Sequence, residues 1–226
     1  MQLEDKLKVL RLPGMRFELE CEPAFTKSEL KAIERMVDAQ LLHRQNAKYR
    51  TLKKKAKLKY VNATVNSINY QFCAGLHRHA VEQLASSVWV KRHSNVFIYG
   101  EPKRGKSFVA CALGDEVLSQ EFSLMSFDFA DLIIELRLAN SEGNMAAYLQ
   151  TLNKARVLLV EDVSPEKMID KEISLFNELV CSRAKSGSFI FTAEKPPAQW
   201  SEAFSNQVTG ENIMKCLMFK AHVMRV

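Results

Sequence analysis

The 226-residue chain has no apolar run near the roughly 18 residues of a membrane helix, which excludes a membrane-embedded protein. The start, Met1–Leu10, is already charged and periodic rather than leader-like, which points to the cytoplasm. The cysteines Cys21, Cys73, Cys111, Cys181 and Cys216 are scattered, odd in number and include no C-x-x-C pair. They read as reduced buried thiols, not as a disulfide framework or a zinc site. His77 and His79 flank Arg78 on a predicted helix, where adjacent faces cannot jointly chelate a metal. Internal repeats are absent, and the only biased stretch is a lysine run. What remains, 47% hydrophobic and 26% charged residues, suffices for a buried core in one or two domains.

Charge is unevenly spread. Through Asn66 there are 15 Lys or Arg against 8 Asp or Glu, and the remainder carries 17 against 18. The net +6 therefore arises in the first quarter of the chain. That quarter reads as helical. Leu3, Leu7 and Leu10 recur at helical spacing until Pro13-Gly14 breaks the pattern. Thr26 or Ser28 caps a second helix, striped by Leu30, Ile33, Met36, Val37, Leu41 and Leu42. The Met36 and Leu41 stripe serves equally as a packing face or a partner face. This helix continues through Tyr49 and Leu52 into the lysines and ends near Tyr60. Val61–Tyr70 reads as a linker or a short extended piece, and the boundary falls there between a basic helical domain (1–66) and a second domain (67–226).

Beyond it strands and helices alternate. Helices are predicted over Gln71–Lys91, Ser107–Ser119, Ala130–Leu138 and Lys171–Ala184. Strands are predicted over Asn95–Tyr99, Ser123–Phe127, Val157–Val160, Phe189–Thr192 and Ala221–Val226. Short strands separated by helices imply an α/β fold, a parallel sheet sandwiched by helices. Phe122, Phe127, Phe129, Phe189 and Phe191 fall at strand positions and read as core.

Between the first strand and its helix lies Gly100-Glu101-Pro102-Lys103-Arg104-Gly105-Lys106-Ser107, which fits G-x-x-x-x-G-K-[ST] without mismatch. Glycines let backbone wrap a polyphosphate, and free N–H groups opening the helix hold its oxygens. In such a loop Lys106 neutralises the outer phosphates of ATP and the Ser107 hydroxyl ligates Mg²⁺. The strand Val157–Val160 runs into Glu161-Asp162, about 55 residues after Lys106, where a P-loop needs acids. Glu161 is the candidate for holding magnesium through water, and Asp162 for polarising the attacking water.

These residues, with Leu10-Arg-Leu-Pro-Gly-Met15, Asp38–Asn46, Arg92–Val96, Phe108–Gly114, Trp200 and Ala221–Val223, resemble the IstB-like ATP-binding proteins over nearly the whole chain. These are AAA+ helpers of insertion-sequence transposition, related to DnaC-type helicase loaders. The resemblance implies a helical N-terminal extension, an AAA+ module with little room for a separate helical lid, and assembly as a homo-oligomer on DNA with ATP. It also implies a partner enzyme, a transposase or a replicative helicase. Four positions depart from the family pattern. Lys103 stands where glycine is usual, and a positive φ there would cost roughly 1 kcal/mol. The acidic pair is Glu161-Asp162 rather than Asp-Asp or Asp-Glu. Glu194 lies about where an Asn senses the γ-phosphate, and Cys216 stands for an Arg that reaches a neighbour's ATP, with Lys215 beside it. Together these departures imply weakened hydrolysis; in the limit the chain is a non-hydrolysing relic.

Arg44, Lys48, Arg50, Lys53, Lys54, Lys55, Lys57 and Lys59 form a run with no acid among them. Such a helix repels itself, so an anionic partner is its natural complement. Contact with the DNA backbone, without base reading, fits lysines best. A solvated face, a basic signal or an acidic protein partner are the other readings.

Overall fold

The computed structural model describes residues 2–21, 25–73 and 75–226. The chain forms two compact units, Met1–Thr51 and Leu52–Val226. The first holds α1 (Leu3–Leu10), α2 (Pro13–Leu19) and most of α3 (Lys27–Ala56). Its core is Leu7, Leu10 and Val37, flanked by Leu3, Leu12, Leu19, Ile33 and Leu41. Leu41 thus packs inside, whereas Met36 is 70% exposed. Lys6 bridges Glu34 at 2.7 Å and Asp38 at 2.8 Å.

Three local expectations are refined here. Pro13 opens α2 instead of merely ending α1, because its fixed φ suits a first helical position that needs no N–H donor. Thr26, not Ser28, caps α3: its Oγ1 accepts the Glu29 amide at 3.4 Å, and Glu29 Oε2 accepts the Thr26 amide at 2.7 Å. The helix ends at Ala56, short of Tyr60, because Lys57 turns left-handed with φ 54°.

The units divide ahead of the boundary that composition suggests at Asn66. The stretch read as a linker is packed, with Leu58, Ala63, Val65 and Ile68 buried in the second unit. Asn69 Oδ1 then accepts the Gln71 and Phe72 amides, which holds a turn where a helix from Gln71 was expected. Helix begins only at α4 (Arg78–Ala85). Ser87, at φ 54°, separates it from α5 (Val88–Lys91).

The second unit continues with β1 (Val96–Tyr99), α6 (Lys106–Ser119), β2 (Leu124–Asp128), α7 (Phe129–Ser141) and α8 (Met145–Asn153). It ends with β3 (Val157–Val163), α9 (Asp170–Arg183), β4 (Ser188–Ala193), α10 (Trp200–Ala203), α11 (Gln207–Met218) and β5 (His222–Arg225). The sheet order is β2-β3-β4-β1-β5, and every pairing is parallel. β1 and β4 are almost wholly buried, as expected where helices cover both faces. Phe129, Phe189 and Phe191 are core residues, while Phe122 and Phe127 are half-buried. Trp200 packs edge-on against Phe97 and Phe191. Among the described residues no helix is long and apolar enough to cross a membrane.

Candidate functional site

The loop Gly100–Gly105 leaves the C-terminal end of β1, inside the sheet, and runs into α6. Gly100 is anchored by its amide on the Ala193 carbonyl at 3.2 Å. A Cβ on Gly100 would fall 2.3 Å from the Val226 carbonyl oxygen, so only glycine fits there. Gly105 has φ 91°, and a Cβ would meet Cys73 Sγ at 3.0 Å. Lys103 has φ 63°, the left-handed conformation in which a lysine is costlier than glycine. Glu101 and Arg104 pair with each other at 3.2 Å on the loop's exposed side.

α6 opens without a side-chain cap, so its first N–H groups are left to an external acceptor. The Lys106 ammonium is buried and donates to the carbonyls of Gly100 at 2.9 Å and Glu101 at 2.8 Å. Burial lowers its pKa, against smaller opposing pulls from Asp162 and Glu194. Both acids therefore lie near the ammonium.

Glu161 and Asp162, adjacent in sequence, face different surroundings. β3 runs on to Val163, and its register with β4 slips between Val160 and Val163. At the slip Asp162 has φ 56° and donates its amide to Thr192 Oγ1 at 2.9 Å. Asp162 is thereby exposed, while Glu161 is only 4% exposed. Burial raises the Glu161 pKa; the Ser107 hydroxyl and the Lys59 charge oppose that rise. Its Oε2 has no hydrogen-bond partner. A buried carboxylate oxygen without a partner, beside the Ser107 hydroxyl, is the donor set a hard divalent cation takes. The residues present fit Mg²⁺.

A cavity of about 720 Å³ opens over the loop. Lys103, Lys106, Ser107, Asp162 and Glu194 give it a charged and polar side, and Tyr60, Phe72 and Phe108 an aromatic one. The Tyr60 and Phe108 rings lie 5.8 Å apart. Cys73 donates its thiol to the Arg104 carbonyl at 3.4 Å, behind the loop. Reasoning from sequence missed this wall. Its signal was Tyr60 and Phe72 at either side of the asparagine-containing stretch taken for a linker.

Other candidates lie elsewhere. Glu194 follows β4 and reaches the cavity. Cys216 is on α11 beside Cys181, packs against the core and does not line this cavity. Within the basic run, Lys59 lines the cavity near Glu161, and Lys53 pairs with Asp115 at 2.6 Å. Arg44 donates to the Leu10 carbonyl at 2.9 Å. Lys48, Arg50, Lys54, Lys55 and Lys57 are exposed.

A parallel sheet with a P-loop after an inner strand and acids ending the next strand but one defines a P-loop domain of the AAA+ type. The chain belongs to the family of IstB-like ATP binding proteins, which it matches over residues 6–226. It is 31% identical over 173 residues to an insertion sequence IS21 putative ATP-binding protein of Pseudomonas aeruginosa, a match covering 76% of this chain and 65% of that one. It is 29% identical over 195 residues to an IS1162 putative ATP-binding protein of Pseudomonas fluorescens, covering 84% of each. The first of these matches thus spans less than two thirds of the relative's length. The crystal structure of the DnaC helicase loader is similar in fold, with a TM-score of 0.60 at 19% identity, over 73% of this chain and 97% of that one.

Proposed function

We propose that this chain binds ATP with Mg²⁺ at the Gly100–Ser107 loop and acts as an ATP-dependent, DNA-associated helper of a transposase. The observation that carries the reading is the convergence at one cavity of an uncapped helix N-terminus, the Lys106 ammonium and the nearby partnerless Glu161 oxygen. In this reading the Gly100 and Glu101 carbonyls hold Lys106 until the β- and γ-phosphates replace them. Ser107 and Glu161 hold the magnesium, which neutralises phosphate charge when bound. Tyr60, Phe72 and Phe108 offer apolar faces to the base. The names of the similar insertion-sequence proteins support the transposition role over helicase loading, since the likeness to the DnaC structure is one of fold.

Binding and turnover are separable. Lys106 and Ser107 match the P-loop pattern, whereas turnover depends on Asp162 and Glu194. With a carboxylate at Glu194, the γ-phosphate meets repulsion where a hydrogen-bond donor is needed, so hydrolysis is slow and ATP chiefly controls assembly into a homo-oligomer on DNA. The test is a titration of labelled ATP with magnesium on wild type and Lys106→Ala, with and without DNA, followed by turnover on the same samples. Lys106→Ala should lose about 2–3 kcal/mol, roughly 30- to 150-fold in affinity. Fast DNA-stimulated hydrolysis abolished by Lys106→Ala would overturn the slow-turnover reading, and no binding by wild type would overturn the whole.

A further inference from the structure

The α/β unit hides a charge asymmetry that composition conceals. Residues 67–226 carry 17 basic against 18 acidic residues, yet the approaches to the strands are basic. Lys91 and Arg92 come before β1, Lys154 and Arg156 before β3, Lys185 before β4 and Lys220 before β5. Because all pairings are parallel, these approaches gather at one end of the sheet, opposite the P-loop. The acid in the corresponding turns is Glu121, ahead of β2. The basic character assigned by sequence to the first quarter alone is therefore shared by this surface.

Five of the six cations are exposed and Arg156 is half-buried. Among the described residues none of the six pairs with a carboxylate. Arg156 donates to the Ser186 carbonyl at 3.0 Å, and the Lys220 ammonium lies 5.0 Å from the Phe219 ring. The platform beneath them is fixed by buried hydrogen bonds. Arg183 donates to the carbonyls of Leu152 at 2.7 Å, Ala155 at 3.0 Å and Ser188 at 3.3 Å. Asn95 donates to the Leu217 carbonyl at 2.8 Å and accepts the Phe189 amide at 2.9 Å. Burial, and then the Arg156 charge, bring the Arg183 pKa down to about 10, so it stays charged at neutral pH and adds to the same field. His222 is depressed by burial and then by Arg92, and His93 by burial and then by Arg156.

We propose that this end of the sheet is a contact surface for double-stranded DNA, holding the phosphates of one backbone. Adjacent strands lie about 4.8 Å apart, so the row from β3 to β5 extends over about 14 Å. A cleft of about 780 Å³ bordered by Arg92, Lys220 and His222 closes its β5 end. Like charges gathered in a row repel one another, and a polyanion relieves that repulsion. Lysines supply charge without reading bases, and Phe219 alone is no series of stacking platforms, which favours a duplex over a single strand. DNA docked here leaves the ATP cavity open at the other end. The inference rests on the DNA-association reading above, but on residues other than the α3 run.

The test replaces Arg92, Lys154, Lys185 and Lys220 together by Gln and titrates a short duplex at several salt concentrations, with ATP binding measured on the same variant. The plot of log affinity against log salt should become shallower by roughly 0.9 per phosphate no longer neutralised, about 3 to 4 in all, with ATP binding unchanged. If the fourfold variant loses ATP binding, Lys154→Gln with Lys185→Gln should still flatten the slope by about 2. A wild-type slope in these variants, alongside a loss on substituting Lys54, Lys55 and Lys57, would overturn this surface and leave the DNA reading standing. Absence of duplex binding by the unaltered chain would overturn both. A loss confined to single-stranded oligonucleotides would overturn the duplex assignment.

Discussion

The Thr192 hydroxyl accepts the Asp162 amide at 2.9 Å, joining β4 to β3 where the ladder between them slips. The slip turns Glu161 inward and leaves Asp162 at the cavity, so one side chain on β4 helps sort two neighbouring carboxylates into different surroundings. Thr192 is fully buried, and Thr192→Val keeps its shape while removing the acceptor. We expect a loss of about 1–2 kcal/mol in stability and a larger fall in turnover than in ATP affinity. Chemical denaturation beside an ATP titration measures both. An unchanged midpoint would mean that other interactions hold the bulge.

Glu161 makes the two halves of the site's pH dependence run in opposite directions. Burial raises its pKa above the ordinary 4.5. The folded chain therefore holds that proton more tightly than the unfolded chain. The resulting stabilisation is full below about 4.5 and is lost as pH rises through the raised value. Without nucleotide, Glu161→Gln should raise the neutral-pH unfolding midpoint and remove this contribution to its pH dependence. The proposed magnesium site uses the ionised carboxylate, so metal-dependent ATP binding should weaken as pH falls through the same value. In Glu161→Gln the magnesium affinity should drop by about 10–100-fold at neutral pH. Unfolding curves with and without MgATP across pH give both readouts, and parallel shifts in the two would contradict the assignment.

Lys103 is a strained residue in an otherwise regular loop. At φ 63° it lines the cavity and brings a positive charge to it at the expense of backbone comfort. Lys103→Gly should stabilise the nucleotide-free protein by up to about 1 kcal/mol, a rise of roughly 2–4 °C in Tm. If the charge contributes to binding, ATP affinity falls in the same variant. Calorimetry of unfolding with an ATP titration separates the two effects, and a lower Tm would show that the lysine side chain is held by interactions worth more than the strain.

The P-loop was legible because its chemistry is local: a short apolar strand, glycines, Lys106-Ser107 and a helix follow one another in the chain. The strands and most helices of the sheet were legible for the same reason, through periodicity. Helices α8, α10 and α11 were not, since short segments carry little periodic signal and owe their form to packing against the core. The opposite orientations of Glu161 and Asp162 depend on a register slip against β4, which no spacing within β3 encodes. Tyr60, at the end of one predicted helix, and Phe72, near the start of the next, gave no sign of a shared wall, because Phe108, far along the chain, completes it. The basic end of the sheet was hidden in the same way, its cations brought together only by parallel pairing.

Lys53 and Lys54 are adjacent in the lysine run and should behave differently. Lys53 reaches Asp115 at 2.6 Å, with 22% and 12% of the two side chains exposed. Lys54 is exposed, as are Lys55 and Lys57. Breaking the partly buried pair leaves the Asp115 charge without its closest cation, so Lys53→Gln should cost on the order of 1–3 kcal/mol in stability. It should leave the salt dependence of DNA binding nearly untouched. Lys54→Gln, Lys55→Gln and Lys57→Gln together should do the reverse, leaving stability within about 0.5 kcal/mol while flattening the salt slope by roughly 0.9 for each phosphate no longer neutralised. Denaturation midpoints and duplex titrations over a salt series, run on the same two variants, decide the matter. A flattened slope in Lys53→Gln would mean that the lysine leaves Asp115 for DNA. An unflattened slope in the triple variant would mean that these exposed lysines of the run do not hold the backbone.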